Sequence, residues 1–459
     1  MPDFTSSARR PRLSLRQRGQ ALVFGIAVLL GAAAATFYVF NTGQLTAEKT
    51  KLVNTADAVA YSAGVMHARA LNFDAYTNRA LIANEATIAQ MVSISSWLQY
   101  SKGHVQGVPP LYCYSQYSVP VALATTTYIP LCYALSYPAG YTVVNYADSI
   151  VNGTGGGLGG GAIAVAAAEV AKAELKAMQA TMFAGFLYAR TALVQEVADA
   201  NYRNDGSVSV TPLPLKDDWT SFQGGGFFIS RHTGNQRQRM RDLIVHVVNS
   251  DDFVHNRSWT SSSPWPCNPA VPSGTADRSG GTVLNGYNSW EARDQAHFEI
   301  RKKRFRGLSL RCVTTANYSL GNGHRKTTSN PSSAWYYSGV PEFYELSDAA
   351  LNYTPTGSSH PDPRLQFAIR VTRPMNQTRT SAGTSAVKPG GRLHMFDGAA
   401  AGGVLAAVAT SEVYFDHERE KDGATELGSL FNPYWQVHLV GNSTAVVAAA
   451  TALQGVATP

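Results

Sequence analysis

The stretch RQRGQALVFGIAVLLGAAAATFYVF, residues 16–40, decides how this chain is organised. From Ala21 to Phe40 it carries no charge, and roughly 20 apolar residues are what a membrane-spanning helix needs. A cluster of arginines precedes it: Arg9, Arg10, Arg12, Arg16 and Arg18. Such a cluster stays in the cytoplasm under the positive-inside rule. We therefore expect a retained single-pass anchor with a cytoplasmic N-terminus and the bulk of the chain outside the cytoplasm.

A cleaved export signal is the alternative interpretation, with a cut near the alanines at 32–35. Export signals have an apolar segment of roughly 7 to 15 residues and a small-residue cleavage site. The segment here is longer, and the sequence NTGQLTAEKTKL that follows contains no convincing processing site. The retained anchor is the interpretation we carry forward.

The charge of the chain is concentrated in its first residues. The formal net charge is +7, of which the first 18 residues supply +4, so the remainder is nearly neutral. A nucleic-acid surface requires clustered cations, so we expect no nucleic-acid partner. A second basic run, RKKRFRGLSLR at residues 301–311, is interpreted as a solvated strand edge rather than a phosphate or lipid-headgroup site.

The chain has four cysteines, Cys113, Cys132, Cys267 and Cys312. They show neither C-x-x-C nor zinc-finger spacing, so we expect no metal site from them. Outside the cytoplasm they should be oxidised, and pairing of nearest neighbours predicts Cys113–Cys132 and Cys267–Cys312. Free buried thiols are the alternative.

A heptad-like apolar stripe begins at Leu45 and continues for more than 50 residues. One position of the repeat holds small side chains, Ala56, Ala63 and Ala70, and the other holds larger ones such as Phe73. This pattern predicts a long helix whose alanines allow a partner helix to approach closely. Ala68 lies off the stripe, so its enlargement should be nearly neutral.

A second helix is predicted from the alanine-rich sequence at residues 162–204, after the tract GTGGGLGGG. It is long enough to fold back on the first helix as an antiparallel hairpin. After residue 205 the alternating pattern in RLQFAIRVT and YWQVHLV predicts strands.

The predicted fold class is therefore α+β, with a transmembrane helix that continues into a helical hairpin stalk, followed by a β-rich periplasmic domain. We divide the chain into seven segments: a basic cytoplasmic segment 1–18, a transmembrane helix 19–40, a stalk helix 41–100, a tip loop and glycine-rich linker 101–161, a second stalk helix 162–204, a β-rich domain 205–440 and a low-complexity tail 441–459.

Three sequence motifs resemble cofactor-binding, metal-binding or catalytic sites, but their surroundings in the sequence do not fit these functions. Gly155, Gly157 and Gly160 match G-x-G-x-x-G, but they lie in a glycine tract before an alanine-rich helix and not in a βαβ unit. The sequence DGSVS at 205–209 matches a D-x-S-x-S metal motif without the buried strand that should precede it. The histidine clusters at His246, His255 and His297 lack a third ligand or a nucleophile motif. We expect no catalytic, cofactor-binding or metal site.

The N-terminal region resembles TadG-like proteins, of the TadE/TadG group, from the tight adherence (Flp) type IVb pilus system. The resemblance rests on Arg18-Gly19-Gln20-Ala21, on NTADAVAYSAG at 54–64 and on ARALNFDAYTNRALIAN at 68–84. It implies a non-catalytic, single-pass protein of the bacterial inner membrane whose partners are other pilus-assembly or minor pilin proteins. Oligomerisation through the stalk helices is a further expectation.

Processing is where the sequence departs from the pilins that it resembles. Type IV pilins carry Glu at the fifth position after the cleavage glycine, and counting from Gly19 this position is Phe24. We therefore expect Gly19 and Gln20 to remain joined, and the protein to be a minor component or assembly factor rather than the bulk filament subunit. An anchored periplasmic enzyme and a surface adhesin are the alternative functions.

Overall fold

A computed structural model of the chain describes residues 17–107, 138–155, 157–262, 266–270, 273–388, 402–416 and 426–454. Within these ranges the fold is α+β, with one very long N-terminal helix and strands concentrated in the second half. The predicted fold class is confirmed at this level.

The bounds of the elements are as follows. The helices are α1 (Gln17–Gly107), α2 (Pro138–Asn152), α3 (Gly160–Asn201), α4 (Gln238–Asn249), α5 (Asp348–Leu351) and α6 (Thr444–Ala452). The strands are β1 (Ser209–Asp217), β2 (Ile229–His232), β3 (Trp259–Ser262), β4 (Ser273–Asn285), β5 (Ser289–Arg306), β6 (Ser309–Lys326), β7 (Phe343–Leu346), β8 (Leu365–Pro374), β9 (Val404–Phe415) and β10 (Trp435–Val440).

All ladders between these strands are antiparallel. One sheet has the order β1-β8-β9-β10, a second has the order β3-β4-β5-β6, and β2 pairs with β7. In β8 the side chains Leu365, Phe367, Ile369 and Val371 are buried, as the alternation in the sequence predicted.

α1 and α3 pack against each other in opposite directions. Contacts that join them pair low residue numbers on α1 with high numbers on α3: His67 meets Arg190, and Asn78 meets Gln179. Near the start of α3, Lys172 bonds to Glu85. The predicted antiparallel pairing of these helices is present in the structure.

The helices do not stand apart from the sheets as a stalk. The hydrophobic cluster around Ala56 and Ala63 of α1 includes Val194 of α3 and Phe367 of β8. Further along α1, the cluster around Val92 includes Trp290 of β5. α3 and the sheets thus pack along α1. The expectation of a helical stalk followed by a separate β-rich domain is therefore wrong.

The heptad phase predicted for α1 is also wrong in its second half. Buried positions along one face of α1 recur about every 3.7 residues, whereas a heptad repeat averages about 3.5, so the buried face drifts away from the heptad stripe. They include Glu48, Leu52, Thr55, Val59, Ala63, His67, Ala70, Asp74, Asn78, Leu81, Glu85, Ile88, Val92 and Ser96. Continued beyond Phe73, the predicted heptad stripe includes Ala80, Asn84, Thr87, Met91 and Ile94, which are only half-buried.

Two segments contain helix that the sequence did not predict. α1 continues to Gly107 instead of ending near residue 100, and α2 lies within the stretch predicted as loop and linker. In the tail, Ser443 caps α6 by accepting a hydrogen bond from the backbone N–H of Val446 at 3.3 Å.

Gly64 lies where strands β9 and β10 of the β1-β8-β9-β10 sheet closely approach α1. A Cβ at this position would meet the Val437 side chain and lie 3.0 Å from Cβ of Ser411. We predict that Gly64→Ala lowers the free energy of unfolding by about 1 to 3 kcal/mol, because overpacking outweighs the gain in helix propensity. Thermal unfolding of the detergent-solubilised chain measures this.

Gly185→Ala is the matched control for this prediction. Gly185 is also inside a helix, α3, but a Cβ there would meet nothing within 4 Å. The control should raise stability by up to about 1 kcal/mol through helix propensity alone. If Gly64→Ala also stabilised the protein, β9 and β10 would not approach α1 as closely as described.

Candidate membrane anchor and buried ion pairs

Residues 21–40 of α1 form an exposed apolar surface. An 18-residue window in this helix has a mean hydropathy of 2.2, and none of it is buried within the fold. Phe24 is 71% exposed and Leu29 is 69% exposed. At 1.5 Å per residue the segment is about 30 Å long, which matches the hydrocarbon thickness of a bilayer. By length and composition, this helix can cross a membrane.

The exposed surface ends abruptly at Asn41. The Asn41 side chain is fully buried, and its Oδ1 accepts a hydrogen bond from the backbone N–H of Ser381 at 2.9 Å. Its Nδ2 donates to the carbonyl oxygen of Phe37 at 3.1 Å. The folded part of the protein therefore begins directly after the apolar segment 21–40.

A buried ionic cluster joins α1, α3 and the second half of the chain. Lys172 Nζ lies 2.6 Å from Glu85 Oε1 and 2.7 Å from Glu169 Oε1, and the side chains of Lys172 and Glu85 are fully buried. Glu85 Oε2 also accepts hydrogen bonds from Trp290 Nε1 at 3.0 Å and from the Tyr337 hydroxyl at 2.8 Å. Burial and the charge of Glu85 raise the pKa of Tyr337 well above its ordinary value. The phenol therefore remains a hydrogen-bond donor.

A second buried cluster contains His67, Arg190 and Asp217. Two Arg190 nitrogens donate to the Asp217 carboxylate at 2.8 and 2.5 Å. His67 Nδ1 donates to the carbonyl oxygen of Ala63 at 2.8 Å, while Nε2 accepts from Arg190 at 3.2 Å. Burial and the adjacent guanidinium lower the pKa of His67 to about 3. Three aromatic rings pack around the imidazole: Phe186, Trp219 and Phe367. This neutral histidine is a structural group without access to substrate.

The carboxyl groups of Asp74 and Glu345 lie near each other in the interior. Asp74 is buried, and neither of its carboxyl oxygens has a hydrogen-bond partner. Glu345 Oε1 accepts backbone hydrogen bonds from Leu346 at 2.9 Å and Leu430 at 2.7 Å, and Arg239 Nε lies 3.9 Å from Oε2. Burial and the Glu345 charge raise the pKa of Asp74 well above 3.8. Asp74 is therefore held protonated over part of the pH range in which an exposed aspartate ionises.

This raised pKa predicts that the protein loses stability as pH rises. Protonated Asp74 contributes stability that is fully present below pH 3.8, the ordinary pKa, and is lost as pH rises through the folded-state pKa. Asp74→Asn should remove this loss, so its stability relative to wild type should increase with pH by up to about 1.4 kcal/mol per unit. Thermal unfolding between mildly acidic and mildly alkaline pH measures the difference.

Asp252→Asn removes one carboxylate from an exposed position and serves as the control for net charge. If stability depended on pH in the same way in wild type and in Asp74→Asn, Asp74 would not be the cause of the pH dependence.

The DGSVS sequence forms an ion-paired turn before β1. Asp205 Oδ2 accepts a hydrogen bond from Lys51 Nζ at 2.5 Å, and Oδ1 lies 3.5 Å from Arg373 Nη2. These cations lower the pKa of Asp205 to about 2. The buried Arg373 also pairs with Glu48 of α1 at 3.0 Å. This cluster fastens the end of α3 to the start of the folded part of α1.

The predicted helix-packing residues lie in different environments. Ala56 and Ala63 are fully buried, and Ala70 is 6% exposed in the cluster that contains Phe186. Phe73 is half-buried. Ala68 is also 6% exposed and belongs to the same cluster as Ala70, so the prediction that it lies off the packed face is wrong.

The disulfide and processing residues are as follows. Cys267 and Cys312 form a disulfide with Cα atoms 6.1 Å apart. Cys113 and Cys132 lie outside the described residues. Gly19 and Gln20 belong to the first turns of α1, and their joining stays a prediction.

The histidines singled out in the sequence do not converge. His246, His255 and His297 are each exposed, and Asp416 is exposed at the end of β9. An open cavity of about 760 Å³ has both His255 and Glu291 in its lining. Glu291, however, lies 2.7 Å from Arg293 and 3.0 Å from His324, and these contacts lower its pKa to about 2. An ionised, paired carboxylate of this kind is poorly suited to general acid–base chemistry.

Sequence reasoning missed the buried polar residues of α1. His67, Asp74, Asn78 and Glu85 were absent from the predicted stripe because its seven-residue stepping fell on neighbouring positions, yet they lie on the buried side. Their spacing of 7, 4 and 7 residues follows a single helix face. Polar residues that repeat on the same helix face as the apolar ones were the sequence signal that could have revealed these buried positions.

Comparison with known proteins gives one match. Residues 19–70 match the family model described as "Putative Flp pilus-assembly TadE/G-like". The searches of curated proteins and of solved structures returned no match. The N-terminal region of this chain is therefore TadE/TadG-like, and the resemblance stated from the sequence is confirmed there. The matched residues comprise the exposed apolar segment and the first part of α1 that packs into the fold.

Proposed function

We propose that this protein is a membrane-anchored, non-catalytic minor component or assembly factor of an Flp pilus. The observation that carries the proposal is the position of the family match, residues 19–70, on the exposed apolar segment and the adjoining part of α1. Anchoring and attachment to the folded part are thus combined in one continuous helix.

The proposed topology is a single pass through the bacterial inner membrane. The arginines before residue 19 favour a cytoplasmic N-terminus, which places residue 41 onward in the periplasm or outside the cell. The Cys267–Cys312 disulfide supports this placement, because such bonds persist outside the cytoplasm.

The proposed role is mechanical and not catalytic. The buried histidine and carboxylates are used in ion pairs and hydrogen bonds between α1 and its neighbours, as in the clusters at His67 and Glu85. The partners we propose are other pilus-assembly or minor pilin proteins and further copies of the chain, bound along exposed parts of α1 and α3. Tyr76 and Tyr188 are exposed aromatic side chains on these helices.

Deletion of the gene in its host should abolish or strongly reduce surface Flp pili, measured by electron microscopy and by the amount of surface pilin. Wild-type protein should restore them. Leu29→Arg/Leu30→Arg should not, since each arginine at the centre of a spanning helix costs about 2.5 to 3.5 kcal/mol for insertion. Leu158→Arg/Leu215→Arg alters two exposed leucines elsewhere and is the matched control, expected to restore piliation. Normal piliation without the gene would overturn the proposed function.

A further inference from the structure

The hairpin formed by β5 and β6 extends beyond the rest of its sheet. The first residue of β4, Ser273, pairs with Arg301 of β5, and past this point the strand pairing of β5 in the described part of the chain is with β6. We call residues 302–311 the hairpin tip. Gly307 adopts φ +65° in the turn, a conformation that glycine adopts without strain.

The hairpin tip is strongly basic. No Asp or Glu occurs between Glu299 and Glu342, and the tip alone carries five cations: Lys302, Lys303, Arg304, Arg306 and Arg311. Arg304 is paired directly opposite Arg311. Like charges in this arrangement repel each other, and within the described residues none of the five has a carboxylate partner. The five cations of the tip are therefore available to bind anions.

The other face of the tip and its turn carry exposed apolar side chains next to Lys303. Phe305 is paired opposite Leu310, so these two side chains share the face that Arg304 and Arg311 do not occupy. Phe305 is 74% exposed, and Leu308 in the turn is fully exposed. Exposed apolar side chains beside cations are the combination that partitions into an anionic lipid interface, whereas an acidic protein surface alone would need only the cations.

The base of the hairpin tip is held firmly. The Cys267–Cys312 disulfide attaches β6 at the base of the tip to the segment 266–270. In the same place the backbone N–H of Lys303 donates to the carbonyl oxygen of Asn268 at 3.2 Å. The apolar and basic side chains are thus presented on a supported ribbon.

The tip lies at the far end of the molecule from the apolar segment of α1. His104 Nδ1 hydrogen-bonds with the carbonyl oxygen of Leu320 at 2.9 Å, while Gly323 packs on Ser96. β6 therefore runs antiparallel to α1, and the end of β6 nearest the tip points towards the C-terminal end of α1. From residue 41 to residue 104, α1 spans about 95 Å at 1.5 Å per residue. The ten residues from Leu320 to Leu310 add up to about 33 Å.

We propose that the hairpin tip binds the anionic headgroup surface of a lipid bilayer. Given this separation, the bilayer would be a second one and not the membrane that α1 spans. The statement that it is a second bilayer rests on the proposed anchoring, whereas lipid binding by the tip does not.

The test uses the full chain held in nanodiscs of phosphatidylcholine and its co-sedimentation with vesicles. Wild type should bind vesicles that contain one third phosphatidylglycerol and should not bind pure phosphatidylcholine vesicles. Arg304→Glu/Arg306→Glu should weaken binding about tenfold or more, and Phe305→Ser/Leu308→Ser should weaken it severalfold. Arg203→Glu/Lys388→Glu makes the same change in net charge at exposed positions and should leave binding unchanged.

Two results would overturn the lipid-binding proposal. One is equal vesicle binding by wild type and both tip variants. The other is loss of binding only in the charge variant, with full competition by polyglutamate, which would indicate an acidic protein as the partner. Because the nanodisc holds the chain independently of its cellular location, failure here would leave the pilus proposal intact, and failure of the deletion experiment would leave lipid binding intact.

Discussion

Replacement of Lys172 by methionine is expected to destabilise the folded protein by about 3 to 5 kcal/mol. Lys172 forms ion pairs with both Glu85 and Glu169, and its side chain is fully buried between α1 and α3. Methionine has a similar volume but would leave both carboxylates without this cation. Removal of one member of a buried ionic group is costly because the remaining charges have lost their solvation without compensation. Thermal or denaturant unfolding of the solubilised chain measures the loss.

Two variants make the result specific. Lys176 lies one turn further along α3 at a half-buried position. Lys176→Met should therefore change the free energy of unfolding by about 0.5 kcal/mol or less. Addition of Glu85→Gln and Glu169→Gln to Lys172→Met should recover part of the loss, since the uncompensated charges are gone. If Lys176→Met were as damaging as Lys172→Met, the ionic cluster would not be the cause.

Gly323→Ala is expected to separate β6 from α1. A Cβ at Gly323 would overlap the carbonyl oxygen of Ser96 and would lie 2.7 Å from the backbone nitrogen of Tyr100. The obstacle is helix backbone, which cannot turn aside as a side chain can, so the expected cost is about 3 kcal/mol, at the upper end for overpacking. Limited proteolysis should then cleave the β5–β6 hairpin, and the melting temperature should fall.

Gly281→Ala is the control in the same sheet. A Cβ at Gly281 would have its nearest neighbour, the carbonyl oxygen of His255, at an ordinary 3.4 Å. This variant should unfold close to wild type. Equal stability of Gly323→Ala and wild type would contradict the close approach of helix and sheet.

The sequence was most informative where local composition alone determines structure. The segment from Ala21 to Phe40 is apolar and free of charge, so its exposed, membrane-compatible surface followed from length and hydropathy. The pairing of α1 with α3 followed from helix propensity and length. The strand β8 followed from its alternating pattern.

What the sequence did not reveal depends on contacts between distant residues. Glu85 reads as a solvated residue until Lys172 and Trp290 are placed around it. A glycine inside a helix ordinarily weakens it, but Gly64 is required by the approach of Ser411 and Val437. The strict heptad failed because sheets as well as α3 pack on α1, which leaves no reason for the supercoil that a heptad encodes.

We propose that residues 21–40 anchor the chain with its N-terminus inside and its folded part outside. The most direct test places one epitope tag before residue 1 and another after residue 459, and adds protease to intact spheroplasts. We predict that the C-terminal tag is digested while the N-terminal tag survives until detergent opens the membrane, and that the chain remains in the membrane pellet after alkaline carbonate. Digestion of both tags in intact spheroplasts, or release of the chain by carbonate, would contradict the anchored topology.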